Sequence, residues 1–312
     1  MTAAPAPRMN LLTWGLLFLL GLLWGGSFFF ARVAVGHVPP FTLVFLRLSL
    51  AAIVLHLLLR GGHGLYGALA GRWRGFLLLG LVNNAIPHAF IFLGQTQIGA
   101  GLASILNATT PIWTVLIAHL LTADERMTGK KIAGCILGLC GTAVLLGPAA
   151  LATLFSGDHA VPFWALLLPL LAAVSYGFAG TYGKSFKGLN PTVIATGQLT
   201  ASSLIMLPVS LAVDHPWTLA MPPASAVLAV VALALLSTAF GYILFFRIMA
   251  VAGATNTSLV TLLVPPSAIL LGALFLGERL AMTDMAGMVL IGLGLVVLDG
   301  RALGVIARGK PA

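Results

Sequence analysis

The chain has 312 residues, 60% of them hydrophobic and 7% charged, with a formal net charge of +9. Ordinary soluble domains carry about 25% charged residues, so a water-soluble enzyme is excluded, and the basic residues come in small groups between apolar runs and not on one face, which excludes a nucleic-acid surface. Cys135 and Cys140 are the only cysteines; this close together on one helix their side chains point apart, so neither a disulfide framework nor a metal site is indicated.

A membrane crossing needs about 20 predominantly apolar residues. The first such run, Leu11 to Arg32, follows Arg8; it is too long for a signal-peptide core of roughly 7 to 15 residues, and no small-residue cleavage site follows it. Further apolar runs lie at 41–59, 75–95, 100–120, 132–148, 163–183, 192–212, 225–247, 256–277 and 284–300. Breakers or charges separate them, among them His37-Val38-Pro39-Pro40, Arg60-Gly61-Gly62, Asp124-Glu125-Arg126, Asp158-His159 and Asp214-His215-Pro216. The connection from Gln97 to Gly101 is so tight that the third and fourth helices are expected to form a hairpin. The expected fold is an all-α integral membrane protein of about ten transmembrane helices.

Short cytoplasmic loops carry the excess of Lys and Arg. With both termini cytoplasmic, 13 of the 16 basic residues fall on the inner side, and only Arg32, Arg47 and Arg279 remain for the outer side. Trp14 and Trp73 then fall at inner helix ends and Trp164 and Trp217 near outer ones, as an interfacial belt requires.

The two halves of the chain correspond. Laying 103–146 over 257–298 matches Pro111 to Pro265, Glu125-Arg126 to Glu278-Arg279 and Gly134 to Gly287; earlier, Trp24-Gly25 matches Tyr176-Gly177, Arg32 matches Lys184, Pro40 matches Pro191, Arg47 matches Gln198 and Gly99-Ala100 matches Gly253-Ala254. Two repeats, 1–155 and 156–312, are expected. Five crossings per copy is an odd number, so the second copy enters the membrane with opposite polarity. Inverted repeats of this kind accompany alternating-access transport, with substrate held near mid-membrane between the copies.

Two five-helix copies, each opening with an aromatic-Gly pair and ending with a Gly-Ala turn, a mid-helix proline and a Glu-Arg before a Gly-rich last helix, resemble the EamA-type branch of the drug/metabolite transporter superfamily. The resemblance runs from Leu11 to Asp299, and within the branch the chain is most similar to bacterial inner-membrane exporters of amino acids, aromatic ones included. It implies a basket of ten helices around a central cavity. Gln198 stands where the first copy has Arg47, so only the first copy can use that charge.

Polar residues far from helix ends mark the candidate site, because a polar group without a partner costs several kcal/mol in hydrocarbon. Asn84, His88 and Gln95 share one helix face, and the repeat places Thr238 and Tyr242 at the positions of Asn84 and His88. They are either facing walls of one wet cavity or hydrogen bonds that hold the bundle together. Asn107, Thr110 and Thr114 form a stripe beside Pro111, which removes the hydrogen bond normally given to the Asn107 carbonyl; Pro265 does the same to the carbonyl of Thr261. The freed carbonyls are available to a substrate ammonium, or Pro111, Pro265 and Pro266 act only as helix kinks. Trp24, Phe28, Trp113, Tyr176 and Tyr242 are mid-depth aromatics suited to a stackable cavity wall. Arg47 is within reach of the outer interface, where it would snorkel, or it has a substrate or gating role.

The expected substrate-binding residues are therefore Trp24, Asn84, His88, Asn107, Trp113, Tyr176, Thr238 and Tyr242. The partners expected are a small-molecule substrate and membrane lipids, without nucleic acid, metal or cofactor. A secondary exporter of small metabolites is expected, with neutral amino acids as its substrates because the cavity then offers aromatic faces and uncharged polar groups without a fixed counter-charge. A multidrug or other metabolite exporter is the alternative of the same fold. An intramembrane enzyme would need paired aspartates, a His-Glu-x-x-His motif or a serine with a base, and an ATP-driven pump would need a phosphate-binding loop; the chain has none of these. All seven acids lie in loops or at helix ends, so His88 is the one central candidate for a proton relay, and transport without an obligatory ion is expected.

Overall fold

In a computed structural model the protein is described over residues 11–121, 132–141, 161–186, 188–245, 260–279 and 281–299, together with 129, 144, 247, 248 and 251. These residues form helices and no strand, the arrangement that satisfies backbone polar groups within each segment in lipid. The helices are α1 (Leu11–Val35), α2 (Pro40–Leu59), α3 (Leu65–Gly71), α4 (Trp73–Gln95), α5 (Ala100–Asn107), α6 (Thr110–Leu121), α7 (Ile132–Gly141), α8 (Phe163–Gly183), α9 (Pro191–Val213), α10 (Ala224–Phe245), α11 (Val260–Leu276) and α12 (Met282–Asp299). Among the described residues seven spans are long and apolar enough to cross a membrane: α1, α2, α4, α5 with α6, α8, α9 and α10. The apolar stretches of α7, α11 and α12 are shorter, at 10–17 residues.

Local sequence explains the helix ends. Pro40 and Pro191 open α2 and α9, at the first-turn position where a missing N–H costs nothing, and the Asn190 side chain accepts from the Thr192 N–H. Arg60 and Gly61 both adopt left-handed backbone and stop α2. The short α3 falls in what the hydropathy pattern reads as a loop, since seven residues are too few to register as a span; only its Leu65 is buried.

Helices from the two halves pair throughout: α1 with α11, α2 with α9, α4 with α8 and α6 with α8. Glycine makes two of these approaches possible. A Cβ at Gly25 on α1 would lie 2.5 Å from the Ser267 Cβ and 2.9 Å from the Ala268 N on α11; one at Gly177 on α8 would lie 3.0 Å from the Thr114 N on α6. The Gly134 and Gly138 pair of α7 lies in the same kind of contact with Gly294 of α12. Neither cysteine is in a disulfide; Cys135 is buried and Cys140 exposed.

Two features depart from the sequence expectation. Pro111 interrupts its helix, since α5 ends at Asn107 and α6 begins at Thr110, whereas α11 continues through Pro265 and Pro266. Second, α4 and α10 each contain a π-helical segment, Leu81–Ala85 and Leu233–Phe240, at corresponding places in the two halves; such segments recur at functional sites. Asp124-Glu125-Arg126, Asp158-His159, Gly253-Ala254, Arg8, Lys130, Lys131, Lys187, Arg301, Arg308 and Lys310 lie outside the described residues, as do the side chains of Lys184 and Thr261.

Candidate functional site

Hydrogen bonds tie the helices together at one end of the bundle. The Glu278 carboxylate accepts from the backbone N–H groups of Ala100 (2.8 Å) and Gly101 (3.1 Å) at the start of α5. Asp214 accepts from the Thr42 N–H at the start of α2 (2.6 Å). Carboxylates at helix N-termini satisfy orphan donors and oppose the positive end of the helix dipole. At the same end Arg32 donates to the Gln95 carbonyl, and the Gln95 amide donates to the Phe28 carbonyl (2.7 Å).

Next to these ties lies a cavity of about 590 Å³, with Gln95 part of both. Its lining comes from both halves: Trp24, Ser27 and Phe28 of α1, Arg47 of α2, His88, Phe92 and Gln95 of α4, Ser104 and Asn107 of α5, Tyr176 and Gly183 of α8, Gln198 of α9, Ser237 and Tyr242 of α10 and Val264 of α11 all contribute. The α8 lining residues, Tyr176, Ala179, Gly180 and Gly183, all lie in its C-terminal part; Gly94 of α4 packs against Ala165 and Gly75 against Tyr182, so α4 and α8 are antiparallel and Gly183 stands at the end away from Gln95.

Five of the eight expected binding residues line this cavity: Trp24, His88, Asn107, Tyr176 and Tyr242. The Trp24 ring stacks on Phe245 (centroids 5.4 Å apart) and meets Tyr242 edge-on at 6.4 Å. His88 stacks on Phe92 at 6.2 Å and meets Tyr176 edge-on at 6.4 Å. Asn84 and Thr238, both fully buried, stand behind the wall. Asn84 accepts from the Tyr242 hydroxyl at 3.3 Å and Thr238 accepts from Arg47 at 2.8 Å. Trp113 is absent from the lining; its indole N–H donates to the Thr109 hydroxyl, in the break just before its own helix.

Two expectations are corrected. The Asn107 carbonyl that Pro111 releases is taken by the Thr110 hydroxyl at 2.7 Å, because a threonine one turn on supplies the donor that proline lacks. Nor does Arg47 snorkel: it is 7% exposed and lines the cavity, as the only Lys, Arg, Asp or Glu there among the described residues. The cavity thus carries a fixed positive charge. Hydropathy placed Arg47 by its distance from the helix end, but its surroundings are set by α10 and by Phe92, whose ring centroid is 5.7 Å from the guanidinium carbon.

Gln198, Asn83 and Ser237 also line the cavity and were missed as site residues. The repeat held the signal for each. Gln198 corresponds to Arg47, and the register that pairs Asn84 with Thr238 pairs Asn83 with Ser237. Arg47 bonds across to Thr238 of α10, and Gln198 accepts from Asn83 of α4 at 2.9 Å, so each second helix reaches the π-helical segment of the other half.

Comparison with known proteins gives a family match in two stretches, residues 12–147 and 163–298, both to the EamA-like transporter family. The uncharacterised inner membrane transporter YedA of Escherichia coli K12 is 27% identical over 310 residues, covering 97% of this chain and 93% of its own. A probable terminal-alkyne amino-acid exporter of Streptantibioticus cattleyicolor is 26% identical over 304 residues, covering 95% of this chain and 96% of its own. A solved crystal structure with 23% sequence identity matches at a TM-score of 0.64 over 92% of this chain and 96% of its own, which shows a shared fold.

Proposed function

Because this chain belongs to the EamA-like transporter family, we propose that it is a bacterial inner-membrane exporter of small metabolites, chiefly neutral amino acids including aromatic ones. The observation that carries this reading is the cavity between the halves, whose aromatic walls and polar groups suit a compact solute with an apolar side chain. Several polar atoms on its lining residues, namely His88 Nδ1, Gln95 Oε1, Asn107 Oδ1 and Ser237 Oγ, are buried without a protein partner, and buried polar groups are as a rule partnered, so side-chain rotation on solute binding would give them one. The similar Streptantibioticus cattleyicolor protein, named as a probable amino-acid exporter, and the E. coli relative named for the inner membrane support the substrate class and the location.

Alternating access between two inverted five-helix repeats, 1–155 and 156–312, is the proposed mechanism, with α7, α11 and α12 also crossing to make ten. The double family match, the matched π-helical segments and the equivalent contacts at Gly25 and Gly177 support it. With both termini cytoplasmic, the tied end carrying Glu278 and Asp214 faces outward and the cavity reaches toward the cytoplasm. No coupling ion is assigned, since the acids Asp214 and Glu278 are committed to helix ends.

The test is counterflow of a panel of labelled amino acids, sugars and cationic drugs in liposomes holding only this protein. Exchange of neutral amino acids is expected, unaffected by proton or sodium ionophores. Exchange confined to quaternary ammonium drugs would reject the substrate class, and accumulation that an ionophore abolishes would reject uncoupled transport.

A further inference from the structure

Among the described residues, Arg47 is a buried cation with no anion beside it. Its Nε donates to Thr238 Oγ1, and its guanidinium lies by Phe92. No carboxylate lines the cavity among the described residues, and Asp214 and Glu278 are held at the tied end. An unpaired charge inside a membrane protein is costly and as a rule faces a partner or a pathway.

The orientation of the guanidinium is set from behind. The Thr238 hydroxyl donates its proton to the Leu233 carbonyl at 2.8 Å, within the π-helical segment Leu233–Phe240, so it presents only an acceptor to Arg47. That bond occupies Nε and leaves the two Nη groups, four N–H donors, as the edge turned to the cavity. A planar pair of Nη donors matches the two oxygens of a carboxylate. Acceptors without partners lie on other lining residues: the Gln95 amide is oriented by its bond to the Phe28 carbonyl, which leaves Oε1 unpaired, and Asn107 Oδ1 is likewise unpaired.

We propose that Arg47 is the anchor for a substrate carboxylate, so that the cavity selects solutes bearing that group over the amines that lack it, with Thr238 as the positioning residue that aims the guanidinium. This rests on the reading of the cavity as the transport site. It goes further in requiring the anion: an amino acid or its deaminated acid binds, and the decarboxylated amine does not.

Binding and transport are read separately on the purified full-length protein. Phenylalanine, 3-phenylpropionate and phenethylamine are compared by the shift each produces in melting temperature, and then as competitors of phenylalanine counterflow. The two carboxylates are expected to stabilise the wild type and phenethylamine to leave it unchanged. Arg47→Gln should weaken 3-phenylpropionate binding by about 10- to 100-fold, the scale of a charge-assisted pair. Arg47→Lys, which keeps the charge and guards against misfolding, should lose less, because it keeps the attraction but not the fork. Thr238→Val should weaken carboxylate binding and Thr238→Ser, which keeps the hydroxyl acceptor, should restore it, while phenethylamine still gives no shift. Equal binding of the amine, undiminished binding in Arg47→Gln, or no carboxylate binding at all would each overturn the anchor. Carboxylate binding that depends on Arg47, found without counterflow of any solute, would uphold the anchor and reject the transport reading.

Discussion

Trp24 shows how one residue is held for a task. Its indole stacks on Phe245 and meets Tyr242 edge-on, and Gly241 of α10 makes room for it, since a Cβ there would lie 2.8 Å from the indole nitrogen. Tyr176, its counterpart in the second half, closes on His88 across the same cavity. Aromatic contacts of this kind are worth about 0.5–1.5 kcal/mol beyond their burial, or roughly two- to tenfold in a rate or an affinity. Trp24→Ala should therefore lower counterflow by that factor while expression and elution volume stay unchanged. Trp113→Phe, which changes an aromatic outside the lining, should leave the rate within about twofold. Equal rates in Trp24→Ala and wild type would remove Trp24 from the cavity wall.

At the scale of helices, the aromatic-Gly pair divides its work between neighbours. Trp24 and Tyr176 face the cavity, while Gly25 and Gly177 let α1 touch α11 and α8 touch α6 at backbone distance. Without a hydrophobic driving force between helices in lipid, such close approach is a main source of packing energy. Gly25→Val would force the helices apart, and overpacking typically costs about 1–3 kcal/mol, so a lower melting temperature and a larger aggregated fraction on size exclusion are expected. Gly180→Ala is the control, because a Cβ there meets only the Thr114 methyl at 3.6 Å, an ordinary contact. If both variants melt like the wild type, the close α1–α11 contact is not a source of stability.

For the molecule as a whole, orientation decides which way the cavity opens. Thirteen of the sixteen basic residues fall on one side when both termini are cytoplasmic, which puts Gly67 of α3 inside and Trp217 outside. Both positions are exposed. With Cys135 and Cys140 replaced by serine, Trp217→Cys should react with a membrane-impermeant maleimide in intact cells, and Gly67→Cys only after permeabilisation. The reverse pattern would invert the topology and make the tied end of Glu278 the cytoplasmic one.

The apolar runs, the tight turn between Gln95 and Ala100 and the transporter class were legible in the sequence, because hydropathy, breakers and motif spacing are properties of local chain chemistry. So was much of the cavity wall, since polar and aromatic residues far from helix ends stand out from the apolar sequence around them. What the tertiary structure alone decided was partnership. Arg47 sits in the cavity and not at the interface because Thr238, 191 residues away in the chain, accepts its Nε–H. The Asn107 carbonyl is closed by Thr110, and Asn84 and Thr238 fall behind the wall because the neighbouring helices bury them completely. Helical periodicity says which side of a helix a residue occupies; depth and counter-charge are set by the helices packed against it.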